Sequence, residues 1–281
     1  MLRLGYATYG MQEADLFAAI PRLVELGYSA LELSVHTGTP ADPIVLDTDG
    51  RAELRALLEA HDLPTPHLMD LSVEALATGD ARTESQARFR EACVFADALR
   101  IDRTPVLKMP MRGEQPTWDG NEHDIAAQFL ELADIAAEHD VIFAPEPHVG
   151  TCFETPEKGH WLMTNTDHQH LGLALDISHF PATCFDVQQA VELCAPYAVT
   201  THVKDTVVRD GEFRFRLPGV TGFDYEWYCR ALLDHGYDGP IICEVSAQLW
   251  RQSDHDPWEA AAAMAEALAD PIAAANASAT D

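Results

Sequence analysis

Short runs rich in aliphatic and β-branched residues alternate along the chain with stretches whose apolar positions recur every three to four residues. The short runs predict strands at residues 3–9, 30–35, 65–71, 106–109, 141–146, 171–176, 198–203 and 240–244. The periodic stretches predict helices over residues 11–26, 50–61, 84–99, 122–139, 185–194, 223–235 and 257–268, with only a short helix around 164–170 in the long loop after the fifth strand. Gly27 and Gly236 follow two of these stretches and predict left-handed positions just past the helix ends. Strand–helix alternation implies parallel strands joined by right-handed crossovers, and eight such units close into a single (β/α)8 barrel of the α/β class. An open, doubly wound sheet is the alternative, but the glycines at Gly5 and Gly10 lack the spacing of a dinucleotide-binding turn. The barrel is expected over residues 1–272, and the small, polar residues 273–281 predict a flexible tail.

Length and composition agree with this picture. A chain of 281 residues is ordinary for one α/β barrel, and its apolar residues are spread evenly. No apolar run approaches the roughly 20 residues of a membrane helix, and the N-terminus lacks a signal-peptide pattern, so a cytoplasmic protein is expected. Charge changes the picture more: 46 acidic residues face 18 basic ones, a net −28, and only Lys108, Lys158 and Lys204 are lysines. Self-repulsion of that size calls for screening, which predicts a high-salt cytoplasm. The same field repels phosphate backbones, which argues against nucleic acid as a partner. Six cysteines without a Cys-x-x-Cys pair fit reduced thiols better than disulfides or a zinc cluster.

Barrel enzymes carry their chemistry at the C-terminal ends of strands. The last four predicted strands end on or one residue past Glu146, Asp176, His202 and Glu244, all metal-ligand types. Asp, Glu and His make up about one residue in five, so four such ends in a row arise by chance roughly twice in a thousand. One carboxylate alone reads equally well as a helix cap or ion-pair partner. Three carboxylates in one dry barrel mouth repel one another unless a cation sits among them. The set of Glu146, Asp176, His202 and Glu244 is therefore expected to bind one divalent metal. Its oxygen-rich character favours Mn²⁺ first, then Mg²⁺, with Co²⁺ or Zn²⁺ able to substitute.

The wording around these residues resembles a known family. Pro145-Glu146-Pro147-His148, Leu175-Asp176-Ile177-Ser178-His179, His202-Val203-Lys204-Asp205, the run from Pro218 to Tyr225 and the run from Gly236 to Glu244 are similar to the sugar phosphate isomerase/epimerase superfamily of xylose-isomerase-like TIM barrels. That group includes ketose 3-epimerases, hydroxypyruvate isomerase and inosose dehydratase. The resemblance implies metal ligation by the four residues above, with Glu146 and Glu244 as the proton-transfer pair acting through a metal-stabilised enediolate. The substrate it implies is a small sugar or keto-polyol, phosphorylated or not. A keto-polyol dehydratase is the main competitor, and an apurinic-site endonuclease or a non-catalytic binding barrel are lesser ones. A homo-oligomer is compatible with the sequence.

Residues two apart on a strand share a face, which adds His148 beside Glu146 and Lys204 beside His202 as substrate-contact candidates. Lys204 reads equally as the partner of Asp205 or of a mouth carboxylate. In the family the histidine three after the sixth-strand aspartate contacts substrate, a role the resemblance gives to His179. Glu32 after strand two, and His67 with Asp70 at strand three, also face the mouth in this register, with capping as the alternative. In the loop after strand seven, Arg214 and Arg216 are candidates to grip a substrate carboxylate or phosphate, or to offset nearby acids. Trp161, Trp227 and Trp250 are candidates for the pocket wall or the core.

Overall fold

A computed structural model describes residues 1–279. Ten strands follow one another as β1 (Arg3–Ala7), β2 (Ala30–Ser34), β3 (His67–Met69), β4 (Val106–Pro110), β5 (Ile142–Glu146), β6 (Leu173–Asp176), β7 (Ala198–Val203), β8 (Asp205–Arg209), β9 (Glu212–Arg216) and β10 (Pro240–Cys243). All but β8 and β9 form one parallel sheet in the order β5-β4-β3-β2-β1-β10-β7-β6. Its edges meet at a parallel bridge between Phe143 of β5 and Leu171 just ahead of β6. There the Phe143 N–H donates to the His170 carbonyl at 2.9 Å, and the Gly172 N–H donates to the Phe143 carbonyl at 3.0 Å. The eight strands expected from the hydrophobic pattern thus all form, and they curl into a (β/α)8 barrel.

Helical crossovers occupy Leu16–Glu25, Thr48–Ala60, Gly79–Ala98, Glu122–Ala137, Pro156–Asn165, Val187–Cys194, Tyr225–Asp234 and Pro257–Ser278. Asp15, Asp47, Asp186, Asp224 and Asp256 each accept backbone N–H bonds at a helix start, so part of the acidic excess serves helix capping. Gly27 and Gly236 take φ of 97° and 85° past two helix ends, the left-handed geometry that stops a helix.

Three elements depart from the expectation. The loop after β5 holds a ten-residue helix, Pro156–Asn165, rather than a short turn near residue 164; Pro156 sits in its first turn and the Thr155 hydroxyl accepts from Lys158 N–H. The segment after β7 is an antiparallel hairpin of β8 and β9, turning at Asp210 and Gly211 with φ of 54° and 80°. The last helix continues through Pro271 to Ser278, where an irregular tail was expected from residue 273. Ile272 and Ala275 bury apolar surface there, and the Asn276 amide clamps Leu2 by accepting its N–H at 2.8 Å and donating to its carbonyl at 2.9 Å. Residues 280 and 281 of that expected tail lie outside the described residues.

The alternation of side chains across the barrel wall separates packing from chemistry. Leu31, Leu33, Leu68, Leu107, Phe143, Leu175, Ile241 and Cys243 point outward and belong to the large core beneath the helices. On the other face, Val106, Ala144 and Ala174 form a small apolar floor with Ile142 and Val199 against it. Two residues further along the strands, that floor gives way to Lys108, Glu146 and Asp176. The polar cluster therefore sits on an apolar base that excludes water from below.

Candidate active site

Glu32, Lys108, Glu146, Asp176, His202, Lys204 and Glu244 come from six barrel strands or their ends, and all are buried. A ligand atom from each of Glu146, Asp176, His202 and Glu244 lies within 4.8 Å of the others. Strand register produces this convergence: Asp176 pairs with His202 across β6 and β7, and Ile242 pairs with His202 so that Glu244 falls two residues further up.

His202 is held from both sides. Its Nε2 faces Glu32 Oε1 at 2.8 Å, while its Nδ1 contacts Glu244 Oε2 and lies 2.9 Å from Lys108 Nζ. Burial alone would lower the His202 pKa, but the carboxylates of Glu32 and Glu244 overcome it and raise the pKa to about 9. Lys108 Nζ also lies 2.9 Å from Glu146 Oε1 and 3.6 Å from Glu244 Oε2. Lys204 Nζ binds Asp176 Oδ2 and stands 3.3 Å from Glu244 Oε1. Asp176 further accepts from Ser178 N–H at 2.9 Å and Ser178 Oγ at 2.6 Å, and faces His179 Nε2 at 3.2 Å.

These contacts decide the protonation states. Burial opposes charge on every member, yet Lys108, together with His179 and His148, holds Glu146 below the usual carboxylate range. Lys204 and Lys108 do the same for Glu244, and Lys204 and His179 for Asp176. Both lysines are pushed above their ordinary range by the surrounding carboxylates, Glu146 first for Lys108 and Asp176 first for Lys204.

Above the cluster opens a cavity of about 500 Å³, with Lys108, Glu146, His148, His179, Lys204 and Glu244 in its wall. His148 and His179 stack with ring centroids 3.9 Å apart, and burial together with His179 pushes the His148 pKa down to about 4. The β8–β9 hairpin adds Phe213 and Phe215, and Lys204 Nζ lies 5.2 Å from the Phe215 ring centroid. Arg88 ties the loops after β2 and β3 to the barrel through Asp42 at 2.8 Å and Asp70 at 3.1 Å.

Several residues singled out in the sequence take other places. Glu32 stands behind His202 rather than in the cavity wall. His67 is buried on β3, with Nδ1 2.8 Å from the Thr200 hydroxyl, and burial lowers its pKa to about 3. Asp70 is the Arg88 partner, and Asp205 accepts from Thr221 and Tyr225 instead of pairing with Lys204. Arg214 reaches Glu212 at 3.4 Å; Arg216 donates to the Phe215 carbonyl at 2.9 Å, and neither lines the cavity. Trp161 packs on Trp118, Trp227 against the core and Trp250 against Tyr9. Lys108, Arg112 and Arg251 line the cavity without having been singled out. For Lys108 a signal existed: it is one of three lysines, and it lies two residues from the inward-facing Val106.

A sequence model of the xylose isomerase-like TIM barrel matches residues 20–268. The chain belongs to that family. Among its relatives, the rhizopine catabolism protein MocC of Rhizobium meliloti is 30% identical over 162 residues, covering 51% of this chain and 47% of that protein. Inosose dehydratase of Lactiplantibacillus plantarum is 26% identical over 148 residues, covering 47% of this chain and 49% of that protein. The match thus spans about half the length of these curated relatives. Similar solved structures include the IolI protein with a bound zinc atom, with a TM-score of 0.79 at 16% identity and coverage of 97% and 98% of the two chains. L-Ribulose 3-epimerase has a TM-score of 0.76 at 16% identity, with coverage of 100% and 97%. At such identity the likeness is one of fold.

The donor set of this xylose isomerase-like barrel fits a divalent cation. Glu146 Oε1 is buried and lies close to Lys108 Nζ but without hydrogen-bond alignment, so one ligand oxygen lacks a hydrogen bond among the described residues. At His202 Nδ1, a carboxylate asks for a proton while an ammonium asks for a lone pair, and one nitrogen cannot satisfy both. Glu146, Asp176, His202 and Glu244 would hold a divalent cation, whose charge would relieve that conflict while Glu32 accepts the Nε2 proton. Four carboxylates would then be balanced by two ammonium groups and one divalent charge, with His202 uncharged. Among the described residues no helix is long and apolar enough to cross a membrane.

Proposed function

We propose that the chain is a divalent-metal-dependent isomerase or epimerase of a small sugar or keto-sugar, and that Glu146 and Glu244 exchange the proton. The observation that carries this reading is the placement of both glutamates at the base of one cavity, flanking the same lysine at 2.9 and 3.6 Å. A carboxylate held ionised in a dry site is a base placed to take a proton from carbon. Glu146, Asp176, His202 and Glu244 would hold the cation, which when bound polarises a substrate carbonyl and acidifies the neighbouring C–H. One glutamate removes that proton, and the ammonium groups of Lys108 and Lys204 stabilise the negative charge that develops on the substrate oxygens. The other glutamate returns a proton. Return to the same carbon from the opposite face gives epimerisation; return to the adjacent carbon on the same face, with the hydroxyl proton passing to the former carbonyl oxygen, gives isomerisation. His148 and His179 offer ring nitrogens to substrate hydroxyls; His179 Nδ1 has no hydrogen-bond partner among the described residues.

A keto-polyol dehydratase is the second reading, favoured by the likeness to inosose dehydratase and by the position of Lys204. In that reaction a glutamate takes the α-proton, the electron pair forms the double bond, and the departing β-hydroxyl leaves as water with a proton from Lys204.

The test is incubation with ketoses and keto-polyols plus Mn²⁺ in deuterated, high-salt buffer, read by loss of the proton beside the carbonyl. Glu146→Gln and Glu244→Gln should each slow the exchange about 10²- to 10⁴-fold. Growth of enone absorbance selects the dehydratase. Absence of exchange with every candidate, or unchanged turnover in both variants, rejects enolisation. The net charge of −28 is the ground for placing the protein in a high-salt cytoplasm.

A further inference from the structure

Most basic side chains of this acidic chain pair with carboxylates or donate to backbone carbonyls. Arg112 and Arg251 are different. Both line the cavity, both are exposed to it, and neither side chain makes an ion pair or hydrogen bond among the described residues. They come from different loops at the same end of the barrel, Arg112 just after β4 and Arg251 after the short helix Ala247–Trp250 that follows β10. Tyr9, two residues past β1, lines the same cavity. The cavity wall thus carries these three side chains together with Glu146 and Glu244. Arg251 is steadied by Trp250, its guanidinium carbon 5.0 Å from the ring centroid, and Trp250 in turn packs edge-on to Tyr9 at 5.6 Å.

A chain with 46 acidic residues has carboxylates available to neutralise any arginine. Two guanidiniums that face the cavity without a carboxylate partner form a local positive patch in a strongly negative molecule. Arginine is suited to planar, charge-assisted hydrogen bonding with oxyanions.

We infer that the substrate carries an anionic oxyacid group, a carboxylate or a phosphate, which Arg112 and Arg251 bind at the cavity wall while its carbonyl end lies over Glu146 and Glu244. This rests on the isomerase or epimerase reading for the carbonyl end only; the anion site stands on its own residues. The site also gives an anionic substrate a local attraction that offsets the repulsion of the molecular surface.

The test uses the Mn²⁺-loaded full chain and three probes of one carbon skeleton: D-fructose, D-fructose 6-phosphate and the corresponding terminal carboxylate, D-fructuronate. Binding is measured by titration calorimetry. At least one anionic probe should bind tenfold or more tightly than D-fructose, and the stronger of the two identifies the oxyacid. In Arg112→Gln and Arg251→Gln that preference should fall about tenfold each, with partial recovery in the Lys variants. Circular dichroism and Mn²⁺ affinity measured on the same variants separate this loss from misfolding. Equal or undetectable binding of all three probes, or a preference untouched by both Gln substitutions, overturns the inference. Solvent deuterium uptake by the unsubstituted protein is read alongside. Anion-selective binding without uptake rejects the proposed enolisation and keeps the anion site. Uptake with no anion preference does the reverse.

Discussion

Metal binding should release one proton, and that proton should come from His202. Below pH 9 this ring is mostly protonated in the metal-free protein, because Glu32 and Glu244 raise its pKa to about 9 against the effect of burial. A ligand nitrogen must be unprotonated, so the cation has to displace the proton first. Glu146, Asp176 and Glu244 are held below the ordinary carboxylate range and are already ionised, and His148, with a pKa of about 4, is already neutral. The apparent affinity should therefore rise close to tenfold per pH unit, about seventyfold or 2.5 kcal/mol between pH 6.5 and 8.5. Calorimetric titration with Mn²⁺ under argon, in two buffers of different ionisation enthalpy, reads the affinity and the proton count together. His202→Asn should bind more weakly and abolish the proton release. The linkage has a stability counterpart: a raised pKa stabilises the metal-free fold below pH 6.5, and that stabilisation is lost as pH climbs towards 9. A flat affinity profile with no proton released would show that His202 is not a ligand, and the assignment of the metal set would have to be abandoned.

Three further outcomes follow. Glu32→Gln keeps the shape of the side chain but removes the carboxylate that faces Nε2 at 2.8 Å, and should weaken Mn²⁺ binding by about 10- to 100-fold; unchanged affinity would reduce Glu32 to a packing role. Asn276→Ala deletes both hydrogen bonds to Leu2 and should cost about 1–3 kcal/mol in urea unfolding, whereas an unshifted midpoint would mean that the last turns of the C-terminal helix contribute nothing. Raising KCl from about 0.1 M to multimolar concentration should raise the melting temperature, since screening relieves the self-repulsion of a −28 chain, and equal stability at both ends would sink the high-salt reading.

The barrel and the convergence of its four strand-end side chains were legible because both rest on periodicity. A strand displays alternate residues to the barrel interior, so Glu146, Asp176 and His202 declare themselves by where the apolar runs stop. Lys108 escaped notice because it sits inside a run, at a position where a lysine ordinarily reads as solvent-facing. Counting by twos from Val106 would have placed it inside. Arg112 and Arg251 lie in loops, where no period links sequence position to direction, and Arg216 was singled out by its neighbours' charge for the same lack of a better guide. Glu32 was read as facing the mouth; only the side-chain geometry puts His202 in front of it. Pro271 reads as a helix stop, yet the helix continues because Ile272 and Ala275 have core to cover beyond it.

The pairing of β1 with β10 has a consequence for how the chain is made. During synthesis from the N-terminus, Arg3–Ala7 can hydrogen-bond along one edge to Ala30–Ser34, but its other edge has no neighbour until Pro240–Cys243 has emerged. For most of translation the nascent sheet therefore carries an open strand edge, the feature that invites pairing with other chains. Closure is the slow, long-range step in the folding of such a topology. A kinetic experiment that follows the β1–β10 contact should find it among the last to form.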